Sequence, residues 1–277
     1  MQKFSYFGYK VISENDEQLS NLYSNKTTNW YDLVENQYLV VVDGDGNDVD
    51  RFKWQDGKHK NVVSKTIESI ALGKVKAKTT EQILGIDALL DPSTTVKVIT
   101  GPFGAGKDFL MAACSFYMMQ QNQFEKIMWV RNNVEVKDSN PIGHLKGTMY
   151  EKLVEYAMPL ADHIGGRQAL EMYVQTEKIE VEHLWFLRGR DIKNTIVLCS
   201  EAEHLTREHV QLLLGRISQG SILMLNGDWR QIDSKVFEQN NGLQIAIDRI
   251  KGNRLFSYVH LPTTVRSETA RLADLLD

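Results

Sequence analysis

Residues Gly101 to Lys107 read GPFGAGK, which fits the spacing G-x-x-x-x-G-K. Gly101, Gly104 and Gly106 free the backbone to turn sharply, so its N–H groups can point inward at an anion. The apolar run Val96 to Thr100 precedes the loop as a strand, and KDFLMAACSFYMM follows as a helix. The N-terminus of that helix adds partial positive charge. Lys107 supplies a point charge for the outer phosphates of a nucleotide. The cradle is thus expected to comprise Gly101, Pro102, Phe103, Gly104, Ala105, Gly106, Lys107 and Asp108. Asp108 stands where the pattern calls for a Ser or Thr hydroxyl on Mg²⁺. The bland alternative is a glycine turn that only joins strand to helix.

A phosphate loop needs a partner strand that brings oxygen ligands to the cation and a carboxylate to the attacking water. TIVLCSEAEHL fits in shape, with Ser200 and Glu201 after an apolar run. Glu201 is the candidate to orient or deprotonate water, while Ser200 occupies the position expected for Asp. The two departures complement each other. The loop carries a carboxylate at Asp108 and the strand a hydroxyl at Ser200, so one anionic and one neutral oxygen remain for Mg²⁺. Asp108 and Ser200 are therefore the candidate metal ligands, in exchanged positions. The competing expectation is decay, with Asp108 repelling the phosphates. A third anchor is MLNGDWRQID, where Asp228 and Gln231 follow a strand tip. Gln231 there could sense the γ-phosphate or its water; a turn capped by Asp228 is the other reading.

These residues must be positioned by an alternation of strands and helices that begins near Val75. Helices are expected at Glu81 to Leu90, Lys107 to Gln120, Lys146 to Tyr173, Arg207 to Ser218, Leu243 to Lys251 and Ser267 to Leu276. Strands are expected at Val96 to Thr100, Lys126 to Arg131, Ile179 to Leu184, Thr195 to Ser200, Ser221 to Asn226 and Phe256 to Leu261. Such alternation implies an α/β fold with a mainly parallel sheet covered on both faces. Ligands of such sheets bind beyond the carboxyl ends of the strands. Residues 1–70 read as an N-terminal extension and 71–277 as the core. The extension holds a helix near Glu14 to Tyr23 and a hairpin of Tyr38 to Val42 with Val49 to Trp54. The DGDGND run in that hairpin places Asp43, Asp45 and Asn47 as in a calcium loop, but Asp48 and Trp54 stand where Gly and Glu are needed, so a turn is expected.

With 42% hydrophobic and 25% charged residues the chain has an ordinary globular composition. A net charge of -4 argues against a generally basic nucleic-acid binder, though not against a local basic groove such as one built from Lys58 to Lys60 or Lys74 to Lys78. Cys114 and Cys199 lie in apolar runs and read as buried free thiols. No run of eighteen apolar residues occurs. A cytoplasmic protein without a membrane partner is the expectation.

Taken together, the motifs resemble the PhoH-like ATPases, a family with a RecA-type phosphate-loop core. The resemblance spans roughly Leu33 to Asp277. FLRGRDIKNTIVLCSEAEHLT is similar to the family's M-R-G-R…N…I-I-D-E-A-Q-N stretch, and LNGDWRQID to its T-G-D-x-x-Q-I-D. NNGLQIAIDRIKGNRLFSYVHL is similar to S-G-L…I…G…F-V-H-L, and NPIGHLKG to I-G-F-L-P-G, with Lys146 for Pro. Longer members carry an N-terminal PIN nuclease domain, which is not expected here. The resemblance implies a RecA-like P-loop NTPase that binds and hydrolyses ATP with Mg²⁺ and remodels RNA or single-stranded nucleic acid in a helicase-like way. It implies that Gln82 reads adenine, that Gly101 to Lys107 hold phosphates, that Glu201 activates water, that Gln231 senses the γ-phosphate and that Arg266 reaches it. Arg188 and Arg190 match the R-G-R element, for phosphate or subunit contact. On the residues alone, Arg266 could equally pair with Glu268 or Asp274, Gln82 could simply start a helix, and Trp185, Phe186 and Trp229 could stack bases or fill a core. Asp108, Ser200 and Glu203 depart from the family's Ser/Thr, Asp and Gln. A single core of this kind needs a neighbour to close over the nucleotide, so a homo-oligomer is expected, a six-membered ring being favoured. The alternative function is a nucleotide-binding scaffold with impaired turnover; a small-molecule kinase shares the loop but lacks a lid signal.

Overall fold

The computed structural model describes residues 6–131, 154–232, 237 and 240–265. Near the N-terminus, β1 (Tyr9–Ser13) pairs in parallel with β2 (Tyr38–Val42), with α1 (Leu19–Ser24) between them. β2 then pairs antiparallel with β3 (Asp48–Gln55), and β3 with β4 (Lys58–Asn61). The hairpin is the one its alternation predicts; β1 and β4 are not anticipated by the sequence pattern. Asp43 closes the turn by accepting the backbone N–H groups of Asp45 at 3.0 Å and Asn47 at 2.8 Å. The Asn47 side-chain amide, which donates to Asp43 Oδ2 at 3.2 Å, and these backbone bonds hold its carboxyl below the ordinary range, and the calcium-like run serves as a turn. A short hairpin of β5 (Thr66–Ser69) and β6 (Gly73–Lys76) leads to α2 (Thr80–Leu90). Thr79 caps α2 by accepting from Gln82 N, as its hydroxyl at that position requires.

The core sheet follows. Its strands are β7 (Val96–Thr100), β8 (Lys126–Arg131), β9 (Ile179–His183), β10 (Thr195–Ser200), β11 (Ile222–Gly227) and β12 (Phe256–His260). They lie in the order β12, β7, β11, β10, β8, β9, and all are parallel. All six residues of β10 and of β11 are buried, because both sheet faces are covered. One face packs on α2, α3 (Lys107–Gln120), α4 (Met158–Ile164) and α5 (Arg167–Gln175) through Leu84, Leu110, Leu160 and Leu170. The other packs on α6 (Arg207–Leu214) and α7 (Gly242–Ile250) through Val210, Leu213 and Leu243. This is a RecA-like P-loop architecture, as expected. Both cysteines are buried and free, and burial pushes their thiols up to about 12.

The N-terminal sheet is fastened to the core by specific polar contacts. Tyr38 donates its hydroxyl to Asp87 Oδ2 at 3.1 Å, Lys53 forms a buried ion pair with Asp91, and Asn36 Nδ2 donates to Phe256 O at 3.0 Å. Lys97 on β7 is also buried, and its ammonium satisfies Ala88 O, Asp91 O and Thr94 Oγ1 at the end of α2. These bonds fix α2 antiparallel to β7, with its N-terminus at the carboxyl edge of the sheet.

Local differences from the sequence expectation have local causes. The helix expected through Tyr173 is divided at Gly165 and Gly166, both at positive φ, which ends α4 before α5 begins. α1 starts five residues later than Glu14, at Leu19, and α6 stops at Leu214, before Gly215. The expected last helix and the NPIGHLKG stretch lie outside the described residues.

Candidate functional site

The glycine loop leaves β7 at the carboxyl edge of the sheet and enters α3. Gly101 adopts φ +151°, and a Cβ there would lie 2.2 Å from Leu261 O. Only glycine fits this close approach. Gly106 caps α3 at φ +91°, where a Cβ would meet Gln82 Nε2 at 3.2 Å. Pro102 and Ala105 are buried, Gly104 is at φ +72°, and Phe103 is 63% exposed at the outer tip. The loop is also held from outside, since Val265 N donates to Gly104 O at 2.9 Å and Thr264 Oγ1 to Phe103 O at 2.9 Å. Arg266, the next residue, lies outside the described residues.

Lys107 Nζ donates to Gly101 O at 2.7 Å and Pro102 O at 3.0 Å. Its ammonium thus lies back over the loop, where an anion in the cradle competes with two neutral carbonyls. The ammonium already charges both bonds, and a phosphate oxygen adds the opposite charge on the acceptor side, which favours it over the neutral carbonyls.

Asp108, in the first turn of α3, meets the tips of two strands. Its Oδ1 accepts from Ser200 Oγ at 3.0 Å and from Asn226 Nδ2 at 2.8 Å. Asn226 uses its other end too, because Oδ1 accepts from Glu201 N at 3.3 Å. Asn226 is 1% exposed; sequence reasoning passes over it as an ordinary strand residue. The signal it carries is an amide at the end of an otherwise apolar run.

Glu201 follows β10 in the left-handed region, at φ +55°, a conformation that costs a non-glycine residue free energy and clusters at functional sites. Its carboxylate forms an ion pair with Arg131, the last residue of β8. The register aligns Ser200 with Arg131, so parallel pairing brings the base candidate and the guanidinium together. Arg131 is the second residue that the sequence does not reveal.

At the tip of β11, Asp228 Oδ2 accepts from Gln231 Nε2 at 2.9 Å, and Asp228 Oδ1 accepts from Arg230 N at 3.1 Å. Gln231 is thereby tied to a buried carboxylate beside the loop. His260 bonds Thr100 Oγ1 through Nδ1 at 2.9 Å and stacks on Trp229. Burial lowers the His260 imidazole to about 4, with Arg230 and Lys107 acting in the same direction. Glu203 is 3% exposed, and its Oε2 meets no hydrogen-bond partner among the described residues. Burial raises its carboxyl to about 8, helped by the negative charge of Glu201. Gly227 leaves room for it, since a Cβ there would fall 2.4 Å from Glu203 Oε2.

Gln82 is 4% exposed, with Nε2 donating to Ala105 O at 2.9 Å and Oε1 accepting from Lys78 N at 2.8 Å. Its amide thus ties the loop to the segment that leads into α2. Arg190 is engaged with Glu180 and Glu182 on edge strand β9, at 2.7 and 2.9 Å, while Arg188 is exposed. Trp185 and Phe186 are 66% and 51% exposed, so neither fills a core. No group of three His, Cys, Asp or Glu side chains able to hold a metal occurs among the described residues. The oxygen donors that converge are Asp108 and Ser200, a hard donor pair of the kind Mg²⁺ takes alongside phosphate oxygens and water.

The model of the family described as PhoH-like protein matches residues 74–274. The chain belongs to the PhoH-like family. Protein PhoH2 of Bacillus subtilis (strain 168) is 27% identical to this PhoH-like chain over 288 residues, which cover 98% of the chain and 64% of that relative. A PhoH-like protein of Mycobacterium bovis is 32% identical over 177 residues, covering 63% of the chain and 49% of that protein. A PhoH-like protein of Synechocystis sp. is 30% identical over 203 residues, 69% of the chain and 58% of that protein. The chain thus spans from about half to just under two thirds of these relatives. Membership supports a P-loop protein that binds nucleoside triphosphate. Among the described residues no helix is long and apolar enough to cross a membrane.

Proposed function

We propose that this PhoH-like chain binds ATP with Mg²⁺ and hydrolyses it, and that it couples turnover to remodelling of RNA or single-stranded nucleic acid. The observation that carries the reading is the convergence of the glycine loop, Lys107, Asp108, Ser200 and Glu201 at one carboxyl edge of the sheet. In this reading the loop N–H groups and Lys107 bind and orient the triphosphate. Asp108 and Ser200 hold the cation, which supplies charge neutralisation for the transferred phosphoryl group. Glu201 orients the water and accepts its proton. Gln231 and Asp228 lie at the neighbouring strand tip, where an amide can report the γ-phosphate. Arg266 follows the two residues that bond the loop, and we assign it to phosphate contact, within the chain or across a ring of identical subunits. Placement in the cytoplasm and a hexameric ring belong to the same proposal.

A second reading is favoured by one observation. The Asp108 carboxylate stands in the loop where a neutral hydroxyl is expected, and an anion near phosphate lowers affinity for it. In that reading the chain is a nucleotide-binding scaffold without turnover. Calorimetric titration with ATP and Mg²⁺, together with steady-state turnover of the wild type and Lys107→Ala, separates the two. Heat of binding with turnover that Lys107→Ala abolishes supports hydrolysis. Binding without turnover supports the scaffold. Turnover unchanged in Lys107→Ala marks a contaminating enzyme.

A further inference from the structure

Asn226 stands in β11 one residue before the strand ends, and the hydrolysis reading gives it no part. We propose that Asn226 is a positioning residue that ties the placement of Glu201 to the Asp108 carboxylate, so that cation capture and alignment of the base are one event. The proposal rests on the hydrolysis reading above and names what aligns its base.

The strand pattern puts Asn226 there. Alternate residues of a strand share a face. Ile222 and Met224 on β11, like Ile196 and Leu198 on β10, pack into the core that α3 covers. The parallel register sets Cys199 beside Leu225, so Ser200 and Asn226 come next, side by side on that same face. At the carboxyl edge they meet the first turn of α3, where Asp108 takes the place of the apolar residues further along the helix.

The hydrogen bonds allow the amide one orientation. A carboxylate accepts and a backbone N–H donates. Asn226 Nδ2 therefore faces Asp108 Oδ1, at 2.8 Å, and Asn226 Oδ1 faces Glu201 N, at 3.3 Å. Turning the amide over would set donor against donor at Glu201 and acceptor against acceptor at Asp108. Asn226 is 1% exposed, and a buried polar group left unsatisfied is costly. The carboxylate of Asp108 thus decides which end of the amide Glu201 receives.

What the amide holds is a strained residue. Glu201 has φ +55° and ψ +46°, a conformation that persists only where the surroundings over-determine it. Three contacts do so: Asn226 on its N–H, His204 N donating to its carbonyl at 3.1 Å, and Arg131 on its carboxylate. The first of these leads to the cation ligands. It is short at the Asp108 end and long at the Glu201 end, so the slack lies at the base. An Asp108 carboxylate engaged with a cation is held still. The amide bonded to it is then held as well, and the Glu201 backbone loses that slack.

The test reads amide hydrogen exchange of the full chain by NMR, without ligand and with Mg²⁺ plus a non-hydrolysable ATP analogue. The variants are Asn226→Leu, which keeps the size and removes both bonds, and Asp108→Asn, which is bonded to Asn226 rather than to Glu201 and frees the amide to turn over. Circular dichroism checks that each is folded, and amides within β10 serve as the internal reference. Without ligand, the Glu201 amide should exchange at least about threefold faster in both variants, as the loss of one hydrogen bond requires. With Mg²⁺ and the analogue, the same amide should slow by a larger factor in the wild type than in Asn226→Leu. In turnover assays Asn226→Leu should lower kcat about tenfold and change KM for ATP less than about twofold, since the base is present but misaligned. Unchanged Glu201 exchange in Asp108→Asn, equal slowing by the ligands in the wild type and Asn226→Leu, or an unchanged kcat in a folded Asn226→Leu would overturn the proposal and leave nucleotide binding intact. A wild type that binds the analogue without hydrolysing ATP would overturn the hydrolysis reading and the aligned base with it, even where the exchange differences persist without ligand.

Discussion

Ser200 Oγ donates to Asp108 Oδ1 across 3.0 Å, although the two residues are 92 positions apart in the chain. Each is the residue that departs from its own motif. Asn226 Nδ2 reaches the same carboxylate oxygen at 2.8 Å, so α3, β10 and β11 meet on one atom. A carboxylate in the first turn of a helix is favoured by the helix dipole, and hydrogen bonds to an ionised acceptor are the stronger kind. An exchanged cation site requires these side chains to face each other, and they do.

Exchange predicts a coupled pair. Asp108→Ser should lower ATP turnover by removing the anionic ligand, and Ser200→Asp should lower it by setting a second carboxylate against the first. The double variant restores one anionic and one neutral oxygen in the more usual positions. It should exceed both single variants, with a coupling of about 0.5–3 kcal/mol of transition-state free energy, the range for residues in contact. Turnover measured against Mg²⁺ concentration for all four proteins decides it. Losses that simply add would rule exchange out.

The second prediction concerns Arg131 and Glu201. Glu201 is 45% exposed, so solvent screens the ion pair and Arg131→Ala should cost less than about 1 kcal/mol of stability. The effect on turnover should be larger, because the pair fixes the direction of the base. We expect kcat to fall about tenfold with KM for ATP changed less than twofold, since an oriented general base contributes about 10²–10⁴ in rate and part of that is positioning. Arg131→Lys should recover much of the loss. Parallel losses in melting temperature and in ATP affinity would point to a structural role instead.

A third prediction tests the loop itself. Gly101→Ala would place a methyl group 2.2 Å from Leu261 O at a backbone φ of +151°. The neighbouring atom is backbone, so it has little freedom to retreat. Strain of this kind costs about 1–3 kcal/mol before any clash is counted. The variant should melt at lower temperature and lose ATP binding in calorimetry. A variant with wild-type melting and affinity would show that the loop has another conformation available.

How much of this was legible in the sequence depends on whether a constraint is local. The glycine spacing from Gly101 to Lys107 states its geometry in seven consecutive residues, and the loop, the strand before it and the helix after it all form where expected. The complementary departures at Asp108 and Ser200 were readable as a pair because each breaks a short pattern. Arg131 and Asn226 were not, because their partners depend on strand order. Only the adjacency of β8, β10 and β11 brings an arginine at one strand end to Glu201 and an amide at another to Asp108. β1 escaped for a related reason: its YKVIS run is mostly unburied and is held by parallel backbone pairing to a strand that begins 25 residues after it ends. The contacts of Gln82 with Ala105 O and Lys78 N were not legible either, because side-chain direction within a first helical turn is set by tertiary contacts.

The last prediction follows from Glu203. Its folded carboxyl titrates at about 8, against an ordinary value of 4.5, chiefly because burial disfavours its charge. Between those two pH values the folded protein retains a proton that the unfolded chain has released. Stability from this group is therefore fully present below about pH 4.5, falls as pH rises and is exhausted above about pH 8. Glu203→Gln keeps the size and removes the titration. The difference in melting temperature between variant and wild type should be small at pH 5 and grow towards pH 8, where the variant should melt at least about 2 °C higher, the shift that ~1 kcal/mol produces in a domain this large. Comparing the two proteins cancels slopes from other groups, such as His260. Gln also removes a carboxyl that Glu201 and Lys107 both sense, so the ATP affinity of the variant should change less between pH 7 and 9 than that of the wild type, read by titration calorimetry. Parallel melting curves across this range would show that Glu203 carries no displaced proton.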